Sequence, residues 1–400
     1  NWNFPIAFSK HDSSKLYTYS NHVHLSTDEG HSWETISPDL TRNDKSKLVS
    51  SGGPITQDNT GVEYYATIFA VDESPLQEGL IWVGSDDGLI HLTKDGGATW
   101  ENVTPKKMPD WMMINSIDAS SFDSGTAYIA GTRYKLGDFT PYLYVTDDYG
   151  KNWKLITDGI KDEHFTRVLR SDKVNKNILY AGTETGMYIS YDRGNSWNEF
   201  QKNLPIVPIT DLTIKDNSLI VATQGRSIWM IDDLTVFHQL TPSTDQIKLY
   251  KPKDSYRMGG AGGRKSLTAG TNLPNGAIIH YFIPNYDKEN DQVSLSIHSA
   301  DGTLIKEFSD KSKENLLKVK NGGNSFVWNM KYPGAKRLDN MVLWGADFTG
   351  AKAVPGNYIV KLKVNDTEMT QEFTIHKDPT SEGSIDDIKA QFEFVNEING

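Results

Sequence analysis

The chain has 400 residues, enough for two or three cores rather than one. Its formal net charge of −11, with no Lys/Arg-rich stripe to offset it, argues against a phosphate backbone as partner and so against nucleic acid. There is no cysteine, which excludes disulfides, thiolate metal sites and cysteine nucleophiles, and no apolar run approaches the roughly 18 residues of a membrane span.

Asn1 opens the chain without a Met, a charged n-region or an apolar h-region, so it reads as an internal or processed piece of something longer, any signal peptide lying upstream. From there one octapeptide recurs. It runs Ser26-Thr27-Asp28-Glu29-Gly30-His31-Ser32-Trp33, then Thr93 to Trp100 with Asp95 and Gly97. The third copy runs Thr146 to Trp153 with Asp148 and Gly150, the fourth Ser190 to Trp197 with Asp192 and Gly194. The pattern is [S/T]-x-D-x-G-x-[S/T/N]-W. Each position has a physical reason. The carboxylate accepts backbone N–H groups of a tight turn, the glycine allows positive φ, and the indole covers the hairpin. Asp28, Asp95, Asp148 and Asp192 are therefore expected to be structural rather than catalytic.

The flanks repeat as well. Leu80 to Ser85, a Gly88 turn and Leu89 to Leu92 precede the second copy; Leu179 to Thr183, Gly186 and Met187 to Ile189 precede the fourth. Four short strands per unit of this size describe a propeller blade. Five units are expected, at about 1–55, 56–107, 108–158, 159–203 and 204–240; the third carries an insertion at Arg133–Pro141 and the fifth lacks the octapeptide. A closed propeller usually has more blades, so these five are expected to form part of a larger ring. Residues 241–275, rich in Pro, Gly, Ser and Lys, read as a linker. Residues 276–378 carry strands at the spacing of an Ig-like β-sandwich, and in the 379–400 tail Ile388, Phe392 and Val395 share one face of a beginning helix. The fold class expected is all-β: propeller blades, an Ig-like sandwich and a short C-terminal helix.

The octapeptides, the Gly225-Arg226-Ser227-Ile228-Trp229 ending and the following sandwich resemble the exported BNR-repeat, or Asp-box, proteins with a sortilin-N-terminal-like, glycosyl-hydrolase-like propeller that are common in Bacteroidetes. The resemblance covers nearly the whole chain and implies a secreted, periplasmic or cell-surface location. It specifies fold far more than function, because the same box occurs in sialidases, xyloglucan hydrolases, sortilin-type receptors and photosystem assembly factors.

Three functions follow from it. The first is an exported interaction or scaffold module that binds a polysaccharide or a protein, with Tyr64, Trp111, Asn115 and Arg167 as binding residues and Tyr65, Tyr134 and Tyr142 as further aromatics on the same face. The second is a glycoside hydrolase completed by N-terminal blades outside this chain, which needs two facing carboxylates; Glu63 and Asp211 are the candidates. The third is a sortilin-like receptor or a secretion and surface-assembly factor, with envelope or secretion proteins as partners. No arginine sits in the Phe/Tyr-Arg-Ile-Pro context of sialidases. His22 and His24 share a strand face without a third ligand, and Asp86-Asp87 reads as a hairpin turn, so no metal and no cofactor is expected.

Overall fold

The computed structural model describes residues 3–50, 52–57, 64–240, 245–259, 272–335 and 348–399. The chain divides into two compact units, 1–231 and 232–400.

In the first unit the strands come as successive antiparallel sheets, each built from neighbours in sequence. The first holds β1 (Ile6–Phe8), β2 (Leu16–Tyr19), β3 (Val23–Ser26) and β4 (Glu34–Thr35). The second holds β5 (Ile68–Glu73), β6 (Ile81–Ser85), β7 (Ile90–Thr93) and β8 (Glu101–Asn102). The third holds β9 (Met113–Ala119), β10 (Ala127–Arg133), β11 (Asp138–Thr146) and β12 (Lys154–Leu155). The fourth holds β13 (Thr166–Ser171), β14 (Leu179–Thr183), β15 (Gly186–Ser190) and β16 (Asn198–Glu199). The fifth has three strands, β17 (Ile209–Lys215), β18 (Ser218–Thr223) and β19 (Ile228–Ile231). First strands of successive sheets meet one another from β5 onward, as they do in a propeller. The Arg133–Pro141 insertion is part of a longer hairpin: Arg133 pairs with Asp138, and a 3-10 turn over Tyr134–Leu136 ends at Gly137 in the left-handed region.

The core lies between sheets. Tyr17 and Tyr19 pack on Ile81 and Val83 of the next sheet, Trp82 packs with Ile114 and Ile117, and Tyr128 and Ala130 pack with Leu179 and Ala181. Alternation along each second strand sends one residue forward and the next back, which is why β6 and β14 are buried throughout.

The four octapeptides share one hydrogen-bond set. Asp28 Oδ1 accepts Ser26 Oγ and Ser32 N at 2.8 Å each, while Oδ2 accepts Ser32 Oγ at 2.6 Å. Asp95, Asp148 and Asp192 repeat this with Thr93 and Thr99, Thr146 and Asn152, and Ser190 and Ser196. These hydrogen bonds hold Asp28 and Asp95 down to about 2, with Ser32 and Thr99 contributing most. The octapeptide carboxylates are thus occupied by their own turns.

Three of the four tryptophans reach further. Trp100 Nε1 donates to Ile36 O at 2.9 Å, Trp153 Nε1 to Val103 O at 2.7 Å and Trp197 Nε1 to Ile156 O at 2.7 Å. The acceptor is in each case the third residue after the tryptophan of the preceding sheet. That residue's own N–H is fixed to its third strand: Ile36 to Val23, Val103 to Ile90, Ile156 to Leu143 and Phe200 to Met187. The octapeptide glycine closes the same contact. A Cβ on Gly97 would lie 2.8 Å from Ile36 O, and one on Gly150 would lie 2.6 Å from the Val103 Cβ, so these sites admit only glycine on space as well as on φ.

In the second unit, α1 (Thr235–Gln239) precedes two sheets. The first joins β20 (Lys248–Leu249), β22 (Ala277–Ile283) and β25 (Gly322–Trp328). The second joins β21 (Ser255–Arg257), β27 (Thr367–Lys377), β26 (Gly356–Val364), β23 (Val293–Ser299) and β24 (Leu304–Ser309) in that order. Ile279 and Tyr281 of one sheet meet Leu295, Val360, Leu362 and Phe373 of the other around Trp328, making a β-sandwich. The stretch expected as linker therefore supplies β20 and β21, while 241–244 and 260–271 lie outside the described residues. α2 (Ile385–Asn399) starts at a capping box: Ser384 Oγ accepts Asp387 N at 3.1 Å and Asp387 Oδ2 accepts Ser384 N at 2.8 Å. Ile388 is buried and Phe392 meets Tyr332 edge to face.

Trp197 is 4% exposed and Trp33 is 43% exposed, with no indole acceptor for Trp33 among the described residues. Trp197→Ala should cost about 3–5 kcal/mol, as for other buried tryptophans, and Trp197→Phe about 1 kcal/mol for the lost hydrogen bond. Trp33→Ala should cost well under either buried truncation. Urea midpoints followed by far-UV circular dichroism check the ranking; equal losses at Trp33 and Trp197 would refute it.

Candidate functional site

Because every sheet runs up and down through consecutive strands, its turns divide between two ends. The octapeptides occupy one end. The second-to-third-strand turns and the connections between sheets share the other. Two clusters of aromatic and cationic residues lie there.

The first cluster centres on Trp111, in the connection from β8 to β9. Tyr65 meets its ring edge-on at 5.2 Å, the Arg42 guanidinium lies 5.4 Å from the ring centroid, and Lys47 Nζ lies 5.9 Å away. Arg42 is fixed from three sides: its N–H donates to Asp87 Oδ2, Nε to Asp87 O and Nη2 to Asp110 Oδ1, each at 2.8 Å. Gly88 lets the connection pass, since a Cβ there would lie 2.9 Å from Met112 N. Trp111 itself has φ 60, a left-handed backbone that a bulky residue rarely adopts and that costs on the order of 1–3 kcal/mol.

The second cluster belongs to the insertion and the next sheet. Tyr134 stacks on Phe165 at 5.2 Å and 16°, and Phe139 tilts onto the same ring at 5.9 Å. The Arg167 guanidinium sits 5.2 Å from Phe165 and 5.6 Å from Tyr134, and its Nε donates to Glu184 Oε2 at 2.6 Å. Arg133 links the clusters: Nε donates to Asp110 O at 3.1 Å, and Nη1 pairs with Asp138 Oδ2 at 2.5 Å. Tyr142 donates its hydroxyl to the same Asp138 oxygen at 2.9 Å. Leu136 and Phe139 stand half exposed at the tip of the insertion.

Of the expected binding residues, Trp111 and Arg167 each anchor a cluster. Tyr64 is half-buried, its hydroxyl 3.3 Å from Ser50 Oγ. Asn115 lies on β9 with a buried Oδ1 that finds no hydrogen-bond partner among the described residues. Among the candidate carboxylates, Glu63 lies outside the described residues. Asp211, largely exposed, pairs with Arg170 Nη2 at 2.9 Å. The inner strands instead use carboxylates to join sheets. Asp72 accepts Ala119 N at 2.8 Å and pairs with Lys10, and Asp118 accepts Ser171 N at 2.9 Å and Ser171 Oγ. His22 Nδ1 is 3.1 Å from Ser37 O, and His24 is bracketed by Ser20 Oγ and Thr35 Oγ1. The sequence reading missed Arg42, Phe139, Phe165 and Glu184. The one local signal was an aromatic two residues before an arginine, Phe165-Thr166-Arg167.

Asp86 stands beside the first cluster, in the turn after β6. Burial pushes its carboxyl up to about 7, against the opposing pull of a 2.9 Å hydrogen bond from Thr67 N and with added repulsion from Asp87. Burial likewise raises Asp87. A carboxyl raised above its unfolded value binds more protons folded than unfolded. Its contribution to stability is therefore full below about pH 4 and is lost as pH rises through about 7. Asp86→Asn, which keeps an oxygen for Thr67 N, should flatten that decline. Urea midpoints at pH 5 and pH 8 measure it; an unchanged or steeper fall in the variant would contradict the assignment.

No protein-family model matches the chain, and no curated protein sequence matches it. Similar solved structures include a GH74 xyloglucanase from Xanthomonas campestris, with 14% identity and a TM-score of 0.44 over 69% of this chain and 42% of that one. The β-propeller domain of Cps50 (Swd1) from Myceliophteria thermophila has 13% identity and a TM-score of 0.43 over 78% and 88%. PorZ, a surface component of the type-IX secretion system of Porphyromonas gingivalis, has 12% identity and a TM-score of 0.36 over 93% and 51%. The chain thus spans less than half the length of the xyloglucanase and about half that of PorZ.

Proposed function

We propose that this chain is an exported propeller module that binds an extended polysaccharide or polypeptide across the end opposite its octapeptides, as its resemblance to exported Asp-box proteins implies. The observation that carries this reading is the left-handed, half-buried Trp111, held between Tyr65 and the guanidinium of Arg42. A backbone penalty and a triply tethered arginine maintain an aromatic platform that the sheets themselves do not need. Tyr134, Arg167 and the half-exposed Phe139, gathered round the buried Phe165 ring, extend the same surface across the neighbouring sheets. Aromatic faces beside fixed cations suit sugar rings or the side chains of an extended peptide, and separate contacts on one surface suit a long ligand better than a small one.

Hydrolysis has less in its favour. Asp211 is engaged by Arg170, and Asp72 and Asp118 are spent on main-chain amides of the neighbouring sheet.

Screening the chain against immobilised glycans and against peptide libraries tests the proposal. Ligands of one class should bind saturably. Trp111→Ala and Arg167→Ala should each weaken that binding about 10-fold, equivalent to ~1.4 kcal/mol, with secondary structure intact by circular dichroism. Absence of any ligand in both screens, or binding indifferent to both substitutions, would sink it; release of sugar from a bound glycan would replace it with the hydrolase reading.

A further inference from the structure

The second unit holds a cluster of cations with which no carboxylate among the described residues forms an ion pair. Lys331 and Lys352 face one another directly in an antiparallel bridge, closed by Tyr332 N to Ala351 O at 2.9 Å and Ala353 N to Met330 O at 2.7 Å. Like charges directly opposite across a pair of strands repel and destabilise the pairing. Arg257, at the end of β21, adds a third positive charge to the same cleft of about 410 Å³, which Gln391, Phe392 and Val395 of α2 close from the other side.

The hydrogen-bond partners of the three cations are all uncharged. Lys331 Nζ donates to Thr349 Oγ1 at 2.6 Å and Lys352 Nζ to Met258 O. Arg257 donates from Nε to Ala353 O at 3.1 Å and from Nη2 to Gln391 Oε1 at 3.2 Å. Among the described residues no carboxylate forms an ion pair with any of them. Elsewhere in the unit, Lys311, Lys361 and Lys389 have Asp310, Glu368 and Asp386. Asp378 is the carboxylate whose field reaches Lys352, and its oxygen is occupied by Thr380 N and Oγ1. Burial first, and then the charges of Arg257 and Lys331, lower the pKa of Lys352. In a chain of net charge −11, three partly buried cations gathered in one cleft without an ion pair among the described residues suit an anionic ligand.

We infer that the cleft between the Lys331–Lys352 bridge, Arg257 and α2 binds an oxyanion, with the phosphoryl group as the ligand chemistry it fits best. Each lysine ammonium keeps two N–H donors beyond the one it spends, and the guanidinium keeps Nη1 and one N–H of Nη2. Together these can surround a tetrahedral dianion. The Phe392 ring, held edge to face on Tyr332 at 4.8 Å, and Val395 form an apolar wall beside the charges that can take the body of a phosphate ester.

Isothermal titration of the whole chain with inorganic phosphate, glucose 6-phosphate and glucose, at constant ionic strength set with chloride, tests this. Saturable binding of either phosphate compound and none of glucose is the expected result. Tighter binding of the ester assigns the wall to the sugar; equal affinities assign the site to the free anion. Lys331→Gln combined with Lys352→Gln should weaken phosphate at least 10-fold and, with the repulsion gone, leave the melting temperature without phosphate equal or higher. Lys361→Gln, on β26 and paired with Glu368, should bind as the wild type does. No saturable binding of either compound overturns the inference, as does a double variant that binds phosphate unchanged or melts lower in its absence.

Discussion

Three indole N–H groups hold one sheet of the first unit to the next. Those of Trp100, Trp153 and Trp197 each donate to the carbonyl three residues past the preceding tryptophan, or its equivalent, in a chain of identical steps. The geometry leaves little freedom. The acceptor residue is pinned to its own third strand, the donor ring is set by a turn whose aspartate is saturated with hydrogen bonds, and the glycine between them touches the acceptor residue directly. A buried carbonyl without its donor would carry the cost of an unsatisfied polar group, so each clip specifies register as well as adhesion. Inner-strand side chains repeat the device at smaller radius, through Asp72 to Ala119 N, Asp118 to Ser171 N and Arg170 to Leu212 O.

With adhesion handled at the octapeptide end and along the inner strands, the opposite end is free to differ from sheet to sheet. It does. Arg42, Trp111, the hairpin extension around Tyr134 and Phe139, and Arg167 have no counterparts at matching positions in the other sheets. Positive φ occurs at both ends of the unit; at this end it includes Ala66 and Trp111, neither of which belongs to a repeated turn. Regular repeats carry the fold, and departures from the repeat carry the chemistry, which is the usual division between scaffold and binding loops.

The fold was legible because its determinants are local. Ser26 to Trp33 and its copies state turn type, carboxylate and covering ring within eight residues, and the alternation on either side states the strands. The Trp-x-x-(Ile/Val/Phe) continuation at Ile36, Val103, Ile156 and Phe200 was equally visible but has no meaning within one unit, because its partner lies 41 to 64 residues away. β20 and β21 were read as linker for the same reason: two- and three-residue strands show no periodicity, and their hydrogen bonds come from β22 and β27. At the candidate site, Trp111 and Arg167 stood out as residue types in loops. Tyr65 stood out as an aromatic, but Arg42 did not, because it reaches Trp111 from a different connection, the one between β4 and β5. The Asp86 turn was recognised as a turn, but its burial depends on loops distant in sequence.

The central claim is that the tryptophans fasten sheet to sheet, and the rate at which their indole hydrogens exchange with solvent reports on it most directly. With the indole nitrogens labelled, Nε1–H of Trp100, Trp153 and Trp197 should exchange slowly and together, while that of Trp33, 43% exposed, exchanges fast. Fast exchange at Trp197, or protection at Trp33 equal to that of the other three, would contradict the account.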